Sequence, residues 1–390
     1  MFTTIVDKIK HTVFHQADVP KPDPIEANYK LNYQERNAGK AVLASRPYAL
    51  ELETTTRCNL DCLECPRLDD FVEEELTDDV VDRVAPWFES LNQISLHGFG
   101  EPLYSPSTFK VISMLPEGTQ IHFSSNLTPL KPEHLVLFKE KKGLINVSLD
   151  AATAQTYKLI RGANFEKVVE NMRKIRQLSH MDLYMNMTVM QMNKHEVRAF
   201  LELAESVGAS RVIFIKLSES YDFVKTRKDF RFVYKEQHLG ADDVARMIEQ
   251  IEARKWPFAI DNYVGLKFYP AHVETPAAAA PAVPAPAVPT PAVPAPAAPA
   301  RAAQTSNEPI CAYPWVNLFV KIDGSVRNCC HQEPIGNLKT QSLDEIWNSD
   351  LEQEIRAGVA SKNLHAACQR VNCPVWRQVR QEAQVAGFAV

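Results

Sequence analysis

Apolar, β-branched runs and stretches of helical periodicity take turns through the first two thirds of the chain. Strands are predicted at 49–53, 93–97, 120–124, 144–149, 183–189 and 211–217. Helical periodicity fills the gaps at 77–90, 107–115, 132–142, 165–178 and 194–207, and an amphipathic stretch at 242–255 follows. Repeated strand–helix units predict a parallel sheet with helices outside it. Six such units suit a partial (β/α)6 barrel, with an open doubly wound sheet as the alternative. Either arrangement puts ligands at the carboxyl ends of the strands.

The pattern then breaks. Residues 276–300 contain only Pro, Ala, Val and Thr, nine of them Pro. Such a segment favours extended polyproline II and reads as a semi-rigid spacer reaching up to roughly 75 Å, at about 3.1 Å per residue. A Pro-rich ligand for a partner's aromatic groove is the other reading. The spacer divides the chain into an N-terminal extension (1–45), a barrel (46–262), a linker (263–305) and a C-terminal module (306–390). In that module, runs at 316–322 and 325–328 flank Asp323-Gly324, which predicts a type I′ hairpin. Ser342-Leu-Asp-Glu345 reads as a capping box opening a helix through about residue 356. The module has many cysteines for its apolar content, so a bound metal would supply stability that its core lacks.

Composition narrows the function. Of 390 residues, 45% are hydrophobic and 23% charged, as in ordinary globular proteins. A net charge of −5 argues against affinity built on phosphate neutralisation, so no nucleic-acid partner is expected. No apolar run approaches a 20-residue membrane span. The first ten residues lack a basic segment followed by an apolar one, so a cytoplasmic location is expected. The eight cysteines fall into two clusters, Cys58/Cys62/Cys65 and Cys311/Cys329/Cys330/Cys368/Cys373. Clustering of this kind points to metal or redox chemistry rather than a disulfide framework.

The first cluster lies in Thr55-Thr-Arg-Cys58-Asn-Leu-Asp-Cys62-Leu-Glu-Cys65-Pro66, directly after the first strand. Three thiolates within eight residues suit three corners of an iron–sulfur cube, leaving one iron open to a cofactor. A zinc knuckle or buried thiols is the competing reading, but structural zinc takes four ligands and no fourth is near in sequence.

This spacing resembles the cysteine motif of the radical SAM superfamily. The resemblance implies a 4Fe–4S cluster whose open iron chelates S-adenosylmethionine (SAM) and, on reduction by a donor such as flavodoxin or ferredoxin, releases a 5′-deoxyadenosyl radical. It extends to His97-Gly-Phe-Gly100-Glu101-Pro102, similar to a Gly-Gly-Glu-Pro segment that binds the SAM amino group, with Phe99 as the departure. Ser124-Ser-Asn126 resembles the third-strand end, where a polar residue faces the site. Val147-Ser148-Leu-Asp150 and Tyr157-Lys-Leu-Ile-Arg161-Gly162 resemble the SPASM/twitch branch, where Ser and Arg contact the SAM ribose and carboxylate. Gly100, Glu101, Asn126, Ser148, Asp150 and Arg161 are thus the expected cofactor contacts.

Cys311-Ala-Tyr-Pro-Trp315, with twelve residues to Gly324 and four more to Cys329, resembles SPASM and twitch domains. That implies a small α+β module with an auxiliary 4Fe–4S cluster on Cys311, Cys329, Cys368 and Cys373. Zinc on the same four ligands is the alternative. Cys330 is the spare thiol: an alternative ligand, a buried bystander, or a hydrogen donor to a substrate radical.

The expected reaction is radical oxidation of a small polar metabolite such as an aminocyclitol, sugar or nucleoside. Peptide or protein maturation is the second reading, and a non-catalytic iron–sulfur or zinc-stapled protein the third. Asp150, Asp222 and Tyr157 are candidate bases, and the segment 221–235 either closes the substrate pocket or coats the surface.

Overall fold

In the computed structural model, residues 23–68, 70–272, 309–329, 333–369 and 373 are described. The spacer at 276–300, Cys330 and the first 22 residues lie outside them. Helix α1 (Pro24–Asn37) begins with Pro at its first position, and the Asp23 carboxylate accepts from Ile25 N at 3.0 Å. The strand–helix units follow: β1 (Ala49–Leu52), α2 (Asp78–Val84), β2 (Gln93–Leu96), α3 (Pro106–Met114), β3 (Gln120–Ser125), α4 (Pro132–Glu140) and β4 (Gly143–Ser148). After β4 come α5 (Ala154–Arg161), α6 (Phe165–Leu178), β5 (Asp182–Val189), α7 (Val197–Val207) and β6 (Arg211–Lys216). All six strands are parallel and form the partial (β/α)6 barrel, each within one residue of its expected bounds.

The helix predicted at 77–90 is shorter, because Pro86 has no N–H to donate and the chain tightens into a 3-10 turn over Ala85–Ser90. Beyond the barrel, β7 (Val224–Arg227) and β8 (Phe230–Val233) make a hairpin within the segment 221–235. Then α8 (Ala241–Glu252) leads to β9 (Ala259–Asn262), parallel to β6, and to the antiparallel edge β10 (Lys267–Tyr269).

In the C-terminal module, α9 (Tyr313–Val316) runs into β11 (Asn317–Val320), β12 (Ser325–Arg327) and β13 (Gly336–Asn337). The expected type I′ turn is not what forms. Of Asp323 and Gly324, only Gly324 has positive φ, and Gly324 N donates to Lys321 O at 2.9 Å. That is a type I turn closed by a left-handed glycine. The capping box forms, with Ser342 N to Glu345 Oε2 at 2.7 Å and Glu345 N to Ser342 Oγ at 3.2 Å. It opens only a short α10 (Leu343–Trp347); a second helix, α11 (Asp350–Ala360), restarts from Ser349. The single helix expected here is interrupted because Asn348 turns its amide to Leu43, accepting from N at 3.0 Å and donating to O at 2.9 Å.

The two modules share one sheet. β1 pairs in parallel with β11 from Ala49↔Asn317 to Leu52↔Val320, giving an eleven-strand order β10-β9-β6-β5-β4-β3-β2-β1-β11-β12-β13. Leu50, Ile94, Ile121, Ile145, Met185 and Val212 face the helices and are buried in one core that also holds Trp315, Trp347 and Ile355. The opposite face is polar: Glu51, Ser95, His122, Asn146, Ser148 and Asn186 alternate with those core positions and line the barrel's concave side. Among the described residues no helix is long and apolar enough to cross a membrane.

Candidate cluster and cofactor site

The loop carrying Cys58, Cys62 and Cys65 leaves the carboxyl end of β1 and is fixed before its first cysteine. Thr56 N donates to Glu74 O at 3.0 Å, and Thr55 Oγ1 to the same carbonyl at 3.1 Å. The loop after β2 then meets it, with Glu101 N donating to Arg57 O at 2.8 Å. A Cβ on Gly100 would lie 2.3 Å from Thr55 O, so only glycine allows this approach.

Cys62 is buried, and Cys58 and Cys65 are half-buried. Burial pushes all three thiols up; Cys58 and Cys62 are raised further by neighbouring thiols, and Cys65 by the Glu64 carboxylate. Polar groups that favour thiolates surround them. Arg161 Nη1 lies 3.3 Å from Cys62 Sγ, and Asn126 Nδ2 lies 3.8 Å from Cys58 Sγ. Among the described residues no three His, Cys, Asp or Glu side chains converge as ligands of a single ion do. A cube takes each thiolate on a separate iron, so a soft, three-thiol donor set with cationic neighbours fits a cluster.

The expected cofactor contacts gather here, several of them already engaged by protein. Glu101 is buried; its Oε1 accepts from Ser125 Oγ at 2.7 Å and Leu103 N at 3.0 Å, and its Oε2 from Asn126 N at 2.7 Å. Burial raises its pKa against those three bonds. The carboxylate thus ties the loop after β2 to the end of β3. Asn126 is a second brace, donating to Asn59 Oδ1 at 3.0 Å and accepting from Thr128 N at 2.8 Å. Asp150 is fully buried with φ at +60°; its Oδ1 accepts from Thr188 N at 2.6 Å and its carboxylate pairs with Arg161. Arg161, at the end of α5, also lies 3.5 Å from Glu64 Oε1. Ser148 closes β4 beside Asn186 on the concave face.

Of the candidate bases, Asp222 is exposed and 2.7 Å from Lys235, away from these groups. Tyr157 is buried among them, its phenol pushed up chiefly by burial, and its hydroxyl has no hydrogen-bond partner among the described residues. Glu64, between the second and third cysteines, was not anticipated. Burial pushes its carboxyl up, with Arg161 opposing. Lys225 and Arg227 of β7 were missed as well, although two basic residues two apart on a strand share one face. Lys225 Nζ donates to Cys62 O at 3.0 Å, and Arg227 Nη1 to Ile160 O at 2.8 Å. The β7 part of this segment therefore packs on the cysteine loop and borders an open cleft of about 950 Å³ lined by Cys58, Leu63, Arg67, Phe71 and Lys225.

In the C-terminal module the Cys311 thiol is pushed up to about 11, first by burial and then by the nearby Cys368 and Cys373. Cys329 follows β12 by two residues. Cys330 lies outside the described residues.

Comparison with known proteins agrees with this geometry. Residues 52–204 match the Radical SAM superfamily, and residues 311–374 match SPASM, an iron–sulfur cluster-binding domain. A probable GTP 3′,8-cyclase of Saccharolobus islandicus (strain Y.N.15.51 / Yellowstone #2) is 27% identical over 175 residues, 43% of this chain. Molybdenum cofactor biosynthesis protein 1 of Bos taurus is 30% identical over 177 residues, 40% of this chain and 26% of that protein. The matched segment spans just over half, 56%, of the archaeal relative's length. Among solved structures, Streptococcus suis SuiB superposes with a TM-score of 0.57 at 13% identity, over 85% of this chain and 72% of that one. The anSMEcpe protein with bound AdoMet gives 0.53 at 14%, over 88% and 93%. With both domains, 4Fe–4S clusters and S-adenosylmethionine are the cofactors, and the chain belongs to the radical SAM superfamily with a C-terminal SPASM iron–sulfur domain.

Proposed function

We propose that this radical SAM enzyme abstracts hydrogen from a small polar metabolite, an aminocyclitol, sugar or nucleoside, and oxidises it. In this reading Cys58, Cys62 and Cys65 hold the SAM-binding cluster, and Cys311, Cys329, Cys368 and Cys373 hold an auxiliary cluster. When bound, the cluster and SAM supply a 5′-deoxyadenosyl radical. The chain's own residues then orient the substrate and exclude water. Glu101, Asn126 and Asp150 with Arg161 keep the strand ends and the cysteine loop in register, while Ser148 and Gly100 would contact the cofactor's ribose and amino group.

The observation that carries the substrate class is the concave face of the sheet. Its Asn146 Oδ1 and Asn186 Oδ1 are buried acceptors with no hydrogen-bond donor among the described residues. Unpaired buried acceptors are costly, and a ligand bearing hydroxyl or amino groups relieves them. Burial also pushes His122 down to about 4, leaving a neutral imidazole there near pH 7. The GTP-cyclase likeness, though partial, is in keeping with a nucleoside-sized polar ligand.

Peptide maturation is the second reading, because solved structures of this fold carry peptides: SuiB with its precursor peptide SuiA, and anSMEcpe with the Kp18Cys peptide. The two separate in one assay. The reduced, reconstituted enzyme is incubated with SAM and either a panel of aminocyclitols, sugars and nucleosides or cysteine-containing peptides, and 5′-deoxyadenosine and substrate mass are followed together. Loss of two hydrogens from a polyol or nucleoside, matched to 5′-deoxyadenosine, is the expected result. Turnover confined to peptides overturns the metabolite reading.

A further inference from the structure

Each of the three N-terminal cysteines has a cation beside it. Arg161 donates to Cys62 Sγ at 3.3 Å. Arg67, two residues after Cys65, lies close enough to favour a thiolate at both Cys58 and Cys65. The remaining cation reaches the loop from a distant part of the chain. Lys225 stands on β7, in the hairpin that follows the six-stranded barrel, and favours a thiolate at Cys65.

The hairpin is built to bring it there. Phe232 and Tyr234 pack with Leu63 of the cysteine loop and Ile160 of α5 in a small core separate from the main one. Lys225 and Arg227, two apart on the strand, both turn to the loop. Arg227 spends its guanidinium on the carbonyls of Asp61, Leu159 and Ile160, crosslinking the loop to α5. Lys225 instead places its ammonium 3.0 Å from Cys62 O and 2.7 Å from Asp61 Oδ1, with its side chain only 10% exposed. Asp61 is 76% exposed, so water screens its charge far more than that of Lys225. Within this pair the ammonium is therefore the less screened charge.

We propose that Lys225 is a positioning residue for the SAM-binding cluster, which pins the loop between the first two cysteines and raises the cluster's reduction potential. This rests on the reading of Cys58, Cys62 and Cys65 as its ligands. Three thiolates make the site electron-rich, and reduction adds one more negative charge. A poorly screened cation stabilises that added charge, and groups outside the ligand shell commonly tune metal sites in this way.

The test uses the full-length chain, reconstituted anaerobically, with Lys225→Gln, Lys225→Arg and Asp61→Asn variants. Iron content is counted, and the SAM-responsive EPR signal is titrated against potential. Lys225→Gln is expected to keep its iron, with its midpoint moved to more negative potential. Its 5′-deoxyadenosine formation should slow about tenfold or more with a mild donor and recover under strong reduction. Lys225→Arg should restore the midpoint, and Asp61→Asn should move it up, since it leaves Lys225 less compensated. An unchanged midpoint in Lys225→Gln overturns the proposal, as does an arginine variant that behaves like glutamine. If Lys225→Gln loses iron, Asp61→Asn decides: an upward shift supports the proposal and no shift overturns it. A wild-type enzyme with no SAM-responsive signal sinks the reading of the three cysteines itself, a separate failure.

Discussion

Glu352 shows how a single residue reports on the auxiliary module. It sits on α11 with its carboxyl fully buried, and its Oε2 accepts from Asn328 Nδ2 at 2.8 Å, one residue before Cys329. Glu352 Oε1 and Asn328 Oδ1 are both buried acceptors without a donor among the described residues. Burial pushes the carboxyl up to about 7, while Arg356 and the Asn328 bond oppose it. A proton on the carboxyl supplies the missing donor. Because the folded state holds that proton more tightly than the unfolded chain, stability is greatest at low pH. It falls as pH rises from the unfolded value near 4.5 through about 7. The ceiling on that loss is about 3 kcal/mol, at 1.36 kcal/mol per pH unit. Denaturant melts from pH 5 to 8 should show the decline in the wild type and a flatter profile in Glu352→Gln. An identical slope in both would mean that Glu352 is not the titrating group. Nothing in the sequence marks Glu352, since its partner lies 24 residues away. The grouping of Cys58, Cys62 and Cys65 is local spacing that the sequence displays, whereas the approach of Gly100 to Thr55 O appears only in the fold.

At the scale of elements, local pattern carried the strands and failed wherever a distant segment decided the outcome. The strands of the barrel follow their apolar runs, because one face of each must pack on the helices. The break between α10 and α11 is set by Leu43, three hundred residues upstream in sequence, and the capping box at Ser342 says nothing of it. Helix α1 is a similar case. Its mean hydropathy is low, yet it wedges between the modules: Asn32 Nδ2 donates to Trp315 O at 2.5 Å and Ser45 Oγ at 3.2 Å, and Glu35 accepts from Ala44 N and Ser45 N at 3.0 Å each. Replacing Asn32 with Ala leaves Trp315 O without this donor in a buried setting. The expected cost is about 1–3 kcal/mol, read as a lower unfolding midpoint. Because Cys311 lies four residues before Trp315, the same variant should release iron from the C-terminal site sooner on heating. A variant with wild-type stability would place α1 outside the cooperative structure.

The whole molecule poses the question of how far its two iron–sulfur modules are separate. Their sequences meet across a Pro- and Ala-rich spacer, which invites a picture of two bodies on a tether. The sheet argues otherwise. β1, whose end carries the first cysteine loop, is hydrogen-bonded on one side to β2 and on the other to β11, and Glu53 N donates to Val320 O at 3.0 Å. Trp347 stands edge-on to Trp87 with ring centres 6.3 Å apart, and its Nε1 donates to Ser45 O at 2.7 Å. Arg356, fully buried, donates to Ala41 O at 2.9 Å and to Pro314 O at 2.8 Å. Removing either large ring from such a core costs about 3–5 kcal/mol, so neither module should keep its fold while the other melts. A variant with Cys58, Cys62 and Cys65 all changed to Ala tests this together with the auxiliary site. It is expected to retain about four irons per chain, held by the C-terminal cysteines. In calorimetry it should unfold in one transition whose midpoint falls when Cys311 is also replaced, because loss of the auxiliary metal then destabilises the barrel through β11. Two resolved transitions would mean that the shared sheet does not couple the modules. Retained zinc in place of iron would reduce the C-terminal site to a structural staple, and the oxidative reading, which draws on an internal electron acceptor, would fall with it.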